Sequence, residues 1–139
     1  MDLRDLVRLL IHKDGYTGNM VWAFKDPKLS LIWKLFHDAF PGASWVIVRR
    51  RRESFVNSCL NTVFLKRHST DPQFWEALGD EYEKRLEKLR SQIANTFEVS
   101  ADDIINGEFS EFKQMIEKVG LTFESNRAQK FVETQLWHH

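Results

Sequence analysis

Arg49-Arg50-Arg51-Arg52 is the most unusual run in this chain, four permanently charged forks in succession. Guanidinium groups match the geometry of phosphate oxyanions. The run follows Trp45-Val46-Ile47-Val48, which is β-branched, aromatic and apolar on both faces. That pattern suits a strand of a parallel sheet covered by helices on both sides. The arginines also open a helix whose apolar members are Phe55, Cys59, Leu60, Val63 and Phe64. Parallel α/β sheets bind ligands at the carboxyl ends of their strands, and a helix N-terminus adds N–H donors that favour anions. Ser58 lies about two turns into that helix and can add a hydroxyl. A phosphate-bearing small molecule fits this arrangement. A solvated basic patch or a nucleic-acid contact is the competing reading of the four arginines.

Other reactive residue types are poor candidates. His12, His37 and His68 share no ligand spacing, so no metal site is expected. His138 and His139 stand at the extreme end and carry no weight. Cys59 falls on the apolar side of its helix, where a small buried hydrophobe is expected in place of a nucleophile. The Trp and Phe residues fall at core spacings and are expected to pack.

The elements that must position the arginines follow from periodicity and turn chemistry. Residues 3–11 place Leu3, Leu6, Val7 and Leu10 on one helical face, broken by Gly15 and Gly18. Residues 20–24 read as a short buried strand. Asp26 can cap the next helix, with Pro27 at its first position. Leu29, Ile32, Leu35, Phe36, Ala39 and Phe40 form its apolar stripe, and Pro41-Gly42 ends it. The path over 20–49 therefore reads as a right-handed βαβ unit. Asp71-Pro72 starts the longest helix, with Trp75, Leu78, Tyr82, Leu86, Leu89 and Ile93 inward. Asp80–Lys84 and Glu81–Arg85 lace its outer face at i,i+4, a solvated face without functional weight. Residues 97–99 suit a third strand. Residues 108–119 suit a helix stopped by Gly120 as a left-handed cap, with Leu121 stapled to the last turn. Ser125 can cap a final helix reaching Phe131 and Val132. With no repeat or linker, the expectation is one α/β domain over 1–139, a small parallel sheet with flanking helices.

Composition narrows the function classes. The 139 residues carry 20 Lys+Arg and 20 Asp+Glu, a formal net charge of zero, which weighs against a general nucleic-acid binder. A hydrophobic share of 42% supports a real core. The single cysteine permits no intrachain disulfide and fits a reducing, cytoplasmic setting. Apolar runs such as 21–24 and 46–48 are too short to span a bilayer.

Two tracts resemble the PAPS-dependent sulfotransferases: FKDPKLSLIWKLF at 24–36 and FPGASWVIVRRRRESFVNS at 40–58. Family members show an F-K-D-P-R-L tract, a helix ending in F-P, a strand, and an arginine with a serine eight positions on. Aligned without a gap, Arg50 and Ser58 fall on that pair, which in the family binds the 3′-phosphate of the nucleotide. A register slipped by one pairs Arg49 with Asn57 instead. Residues 97–104 resemble the family's strand plus Y-E-D-L segment, Lys118-Val119-Gly120-Leu121 its L-G-L, and residues 131–136 its tail, so the likeness covers roughly 20–137. The chain departs from the family where Arg51, Arg52 and Glu53 replace an Asp/Asn-Pro-basic run, and where Ala101 replaces a tyrosine. It also has no G-x-x-x-x-G-K-[ST]-like loop for the 5′-phosphosulfate. The resemblance therefore implies a truncated P-loop/sulfotransferase-like fold, with 1–18 as an N-terminal helix and loop. It implies binding of PAPS or PAP through the 3′-phosphate end only, with Arg50 and Ser58 as the nucleotide-binding pair. It further implies that Lys25 and Asp26 lie near the transferring sulfuryl group, Lys25 stabilising charge on the leaving phosphate and Asp26 accepting the acceptor's proton. As a structural alternative, Asp26 is simply a helix cap.

An uncovered sheet edge or apolar face is expected where the family's first strand would lie, and with it a homodimer or a partner chain supplying the missing half. Three function classes follow: a sulfotransferase-like protein incomplete on its own, a non-catalytic remnant serving as a binding or assembly module, and a small nucleic-acid binder.

Overall fold

Trp45-Val46-Ile47-Val48 forms the strand that its composition predicts. A computed structural model describes residues 1–132, in which that strand is one of two among eight helices. The order is α1 (Leu3–Lys13), α2 (Leu29–Ala39), β1 (Trp45–Arg49), α3 (Arg52–Asn61), α4 (Val63–Lys66), α5 (Pro72–Gln92), β2 (Thr96–Ser100), α6 (Ala101–Ile105), α7 (Ser110–Lys118) and α8 (Ser125–Phe131). Residues 133–136 of the family-like tail, and His138 and His139, lie outside the described residues.

β1 and β2 pair in parallel, from Trp45 opposite Thr96 to Arg49 opposite Ser100. Parallel neighbours cannot be joined by a tight turn, and α3, α4 and α5 form the connection between them. The chain is thus α/β with a small parallel sheet, and the strand expected near 97–99 is present. The βαβ unit, however, runs over 45–100 and not over 20–49.

Residues 20–24 are the main correction: they form no strand. Trp22 meets Phe40 edge-on with centroids 5.2 Å apart, and Phe24 stacks on Phe36 at 5.3 Å. Aromatic contacts of this kind add to the burial of large apolar area. They hold the segment on α2 instead of along β1, leaving Met20 and Val21 exposed.

Successive residues of β1 point to opposite faces. On one face Ile47 joins Trp33, Leu89 and Ile93 in a buried cluster roofed by α2 and α5. On the other, Val46 is 40% and Val48 61% exposed. The expected two-sided cover is therefore one-sided over β1, while α7 packs on β2 and buries Val99 and Met115. A second cluster joins α1 to α2 through Val7, Ile11 and Ala39; Leu3, Leu6 and Leu10 remain exposed, contrary to the stripe read from the sequence. A third joins α3 to α5 through Val56, Cys59 and Trp75. The helix expected to run on through Phe64 breaks at Thr62, whose φ of −85° and ψ of 118° are extended, so Val63 and Phe64 face outward.

The turn chemistry matches the expectation at α5 and after α7, and departs from it at α2, which starts at Leu29 and not at Pro27, and at α8. Asp71 Oδ1 accepts from Gln73 N at 3.0 Å, with Pro72 opening α5. After α7, Gly120 adopts φ +83°, and Leu121 N donates to the Ile116 carbonyl at 3.0 Å. That pair is a Schellman end, which a left-handed residue makes possible. At α8, Glu124 takes the N-cap position expected for Ser125, without a side-chain bond.

Candidate anion-binding site

The four arginines separate into different roles as the chain leaves β1. Arg49 shares the Ile47 face and turns toward α5. It donates to Glu83, to Glu87 at 2.7 Å and to Glu98 of β2 at 2.8 Å. Burial alone pulls the Arg49 guanidinium down, but the Glu98, Glu83 and Glu87 carboxylates outweigh it and hold its pKa above the ordinary arginine value. The bond from Arg49 is the leading cause that holds the Glu87 carboxyl below its ordinary range. Arg49 therefore clamps β1, β2 and α5 together.

Arg52, at the start of α3, is half-buried and not part of a solvated basic patch. It donates to the Glu76 carbonyl and pairs with Asp80 at 3.0 Å. Its guanidinium lies over Gly79, which is buried and leaves no room there for a Cβ. Arg51 has an exposed side chain, and its backbone N–H carries its structural role.

That N–H meets a residue the sequence reading missed. Asp102 is 7% exposed, the one charged residue among the buried described residues. Its Oδ2 accepts from Arg51 N at 2.7 Å, and its Oδ1 accepts from the Ser54 hydroxyl at 3.1 Å. Ser100 fixes the start of α6, its Oγ accepting from Asp103 N at 3.2 Å. Asp102 thus caps α3 from across the sheet, and the chain's own carboxylate occupies the N-terminus where an anion would be favoured. The signal was an acidic residue directly after β2; its partner could not be read before the pairing of β1 with β2 was known.

Arg50 and Ser58 are both half-buried, Arg50 just past the carboxyl end of β1 and Ser58 on α3. Ser58 uses its carbonyl locally, accepting from Thr62 N at 3.0 Å and Thr62 Oγ1 at 2.7 Å. Cys59, the next residue, is buried as expected. Burial pushes its thiol up, and the charge of Arg50 pulls weakly the other way.

Lys25 and Asp26 are exposed on the approach to α2. Asp26 Oδ1 accepts from Lys28 N at 2.8 Å and its carbonyl accepts from Leu29 N at 3.0 Å. Asp26 thus closes the turn before α2; it is not the cap expected from the sequence, because the helix starts at Leu29 with Lys28 at the N-cap and Pro27 still in the turn. The bonds of Asp26 are local to this turn.

Two cavities lie elsewhere: a cleft between α2 and α5, and an apolar groove among α6, α7 and α8 lined by Phe109, Phe112 and Phe123. Among the described residues no group of three or more His, Cys, Asp or Glu could hold a metal ion, and no helix is long and apolar enough to cross a membrane. No family model, curated protein or solved structure matches the chain.

Proposed function

We propose that the chain is a sulfotransferase-like nucleotide-binding module that holds the 3′-phosphate of PAPS or PAP between Arg50 and Ser58. One observation carries this reading: Arg50 is half-buried just past the carboxyl end of a parallel strand, and Ser58 is half-buried on the helix that follows it. Arginine at this edge supplies a bidentate donor pair, and serine a hydroxyl, to one phosphate. Lys25 and Asp26 belong to the same proposal as groups near the sulfuryl acceptor, with Asp26 also bonding the turn before α2.

Catalysis would require donors to the transferring sulfuryl group from a second chain or a preceding segment, because the developing charge on that group needs preorganised donors. The exposed Val46 and Val48 beside the outer edge of β1 favour such a partner. A second reading, a non-catalytic binding or assembly module, draws on Asp102: a carboxylate already satisfies the α3 N-terminus, so the turn after β1 is stable without any ligand. Titration with adenosine 3′,5′-bisphosphate tests both, since only the first requires binding that depends on Arg50 and Ser58.

A further inference from the structure

α5 sorts its charges between two sides. From the sequence, Asp80 is the i−4 partner of Lys84, and Glu87 lies one turn beyond it. Neither serves Lys84 in the folded chain. Asp80 pairs with Arg52 at 3.0 Å, and Glu87 pairs with Arg49 at 2.7 Å and with Arg90 at 3.4 Å. Glu81 pairs with Arg85 at 3.0 Å, as its spacing predicts. Lys88 has Lys84 and Gln92 at its i±4 positions, so α5 offers it no carboxylate there. The half-buried arginines at the β1–α3 junction have drawn Asp80, Glu83 and Glu87 to their side, while Glu81 stays with Arg85.

The lysines left over line one cleft. It lies between α2 and α5, has a volume of about 430 Å³, and is bounded by Ser30 and Lys34 on one helix and Lys84, Lys88 and the Glu81–Arg85 pair on the other, with Leu31 and Trp33 as its apolar part. Among the described residues none of these three lysines has a carboxylate within ion-pair distance. Lys34 lies 5.9 Å from the Trp33 ring centroid, a cation–π contact that leaves its ammonium donors available. Lys84 and Lys88 are one helical turn apart on the same face. The volume falls within the usual range for small-molecule sites. In a chain of zero net charge, this is a local excess of unmatched positive charge facing a concave surface.

We propose that this cleft binds a small molecule bearing two or more phosphate or sulfate groups, held by Lys34, Lys84 and Lys88, with its uncharged part against Leu31. The site is separate from Arg50 and Ser58 and does not depend on the function proposed for them. Calorimetric titration of the full chain at low ionic strength tests it, with inorganic tripolyphosphate in one arm and a disulfated disaccharide in the other. Saturable one-to-one binding in either arm is expected, and the tighter arm assigns the oxyanion. Lys84→Gln with Lys88→Gln should weaken it about tenfold or more, the scale for losing charge-assisted contacts. Lys113→Gln with Lys130→Gln should change it by less than about twofold. Glutamine keeps helix propensity at these exposed positions, and matching melting curves establish that the variants are folded. Absence of saturable binding in both arms overturns the proposal. So does equal weakening by the Lys113/Lys130 pair, or a loss caused by Arg50→Ala and not by the Lys84/Lys88 pair.

Discussion

Replacing Asp102 by alanine removes one carboxylate and strands two donors, Arg51 N and the Ser54 hydroxyl, at the start of α3. A hydrogen bond to a charged group contributes about 1.5–3 kcal/mol, and a helix cap about 1 kcal/mol. The two bonds share one acceptor residue, so their losses are not additive. We expect Asp102→Ala to cost about 3 kcal/mol. Asp102→Asn keeps one acceptor oxygen and should cost about half of that, and Ser54→Ala about 1 kcal/mol. Urea denaturation followed by tryptophan fluorescence reads these losses: with a slope near 2 kcal/mol/M, Asp102→Ala moves the midpoint down by about 1.5 M. A cost below about 1 kcal/mol for Asp102→Ala would show that water replaces the carboxylate at no loss, and the cap assignment would fail. Asp102→Asn carries a second consequence. It removes a negative charge from the helix end beside Arg50, so it should tighten phosphate binding while loosening the fold; weaker binding in a folded Asp102→Asn chain contradicts this.

Arg49→Met should lower stability most near neutral pH. The Glu87 carboxyl is held low by Arg49, so its contribution is complete above the ordinary carboxylate range and is lost as pH falls through the lowered value. The gap between wild type and variant should narrow between about pH 7 and pH 3, and a constant gap refutes the clamp. Gly79→Ala should gain little alone, because the new methyl displaces the Arg52 guanidinium from Asp80 and the Glu76 carbonyl. In an Arg52→Gln background the same change should stabilise α5 by about 0.5–1 kcal/mol. Equal gains in both backgrounds, read from melting temperatures, would remove Arg52 from that contact. Asp26→Ala should cost about 1 kcal/mol as a lost turn bond to Lys28 N, and unchanged stability would return Asp26 to a purely functional role.

What could be read from the sequence was local. The strand at Trp45 and the Asp71-Pro72 start of α5 are written in adjacent residues, as is the Gly120 stop after α7, and all are in the structure. What failed was non-local. Residues 20–24 are apolar enough for a strand, yet Trp22 and Phe24 find Phe40 and Phe36 on α2, and no propensity count weighs that competition. The i,i+4 rule paired Asp80 with Lys84, whereas Arg52, 28 positions earlier, holds Asp80. Asp102 was one acid among several until β1 and β2 came together. At the candidate site, Arg50 and Ser58 were legible from the strand-to-helix junction, and the resemblance singled them out. Their division of labour with Arg49 and Arg52 needed the positions of Glu76, Asp80, Glu83 and Glu87 along α5.

Calorimetric titration with adenosine 3′,5′-bisphosphate tests the central claim most directly. The wild-type chain should bind one equivalent whose affinity depends on Arg50, apart from any uptake by the Lys84/Lys88 cleft. Arg50→Ala should weaken binding by about 2 kcal/mol, roughly 30-fold, and Ser58→Ala by a smaller factor. Arg51→Ala should have little effect, because the Arg51 backbone N–H and not its side chain does the structural work. Lys84→Gln with Lys88→Gln serves as the control for the separate cleft and should leave the Arg50-dependent affinity in place. No binding by the folded wild-type chain, or equal losses for Arg50→Ala and Arg51→Ala, would contradict a phosphate site built from Arg50 and Ser58.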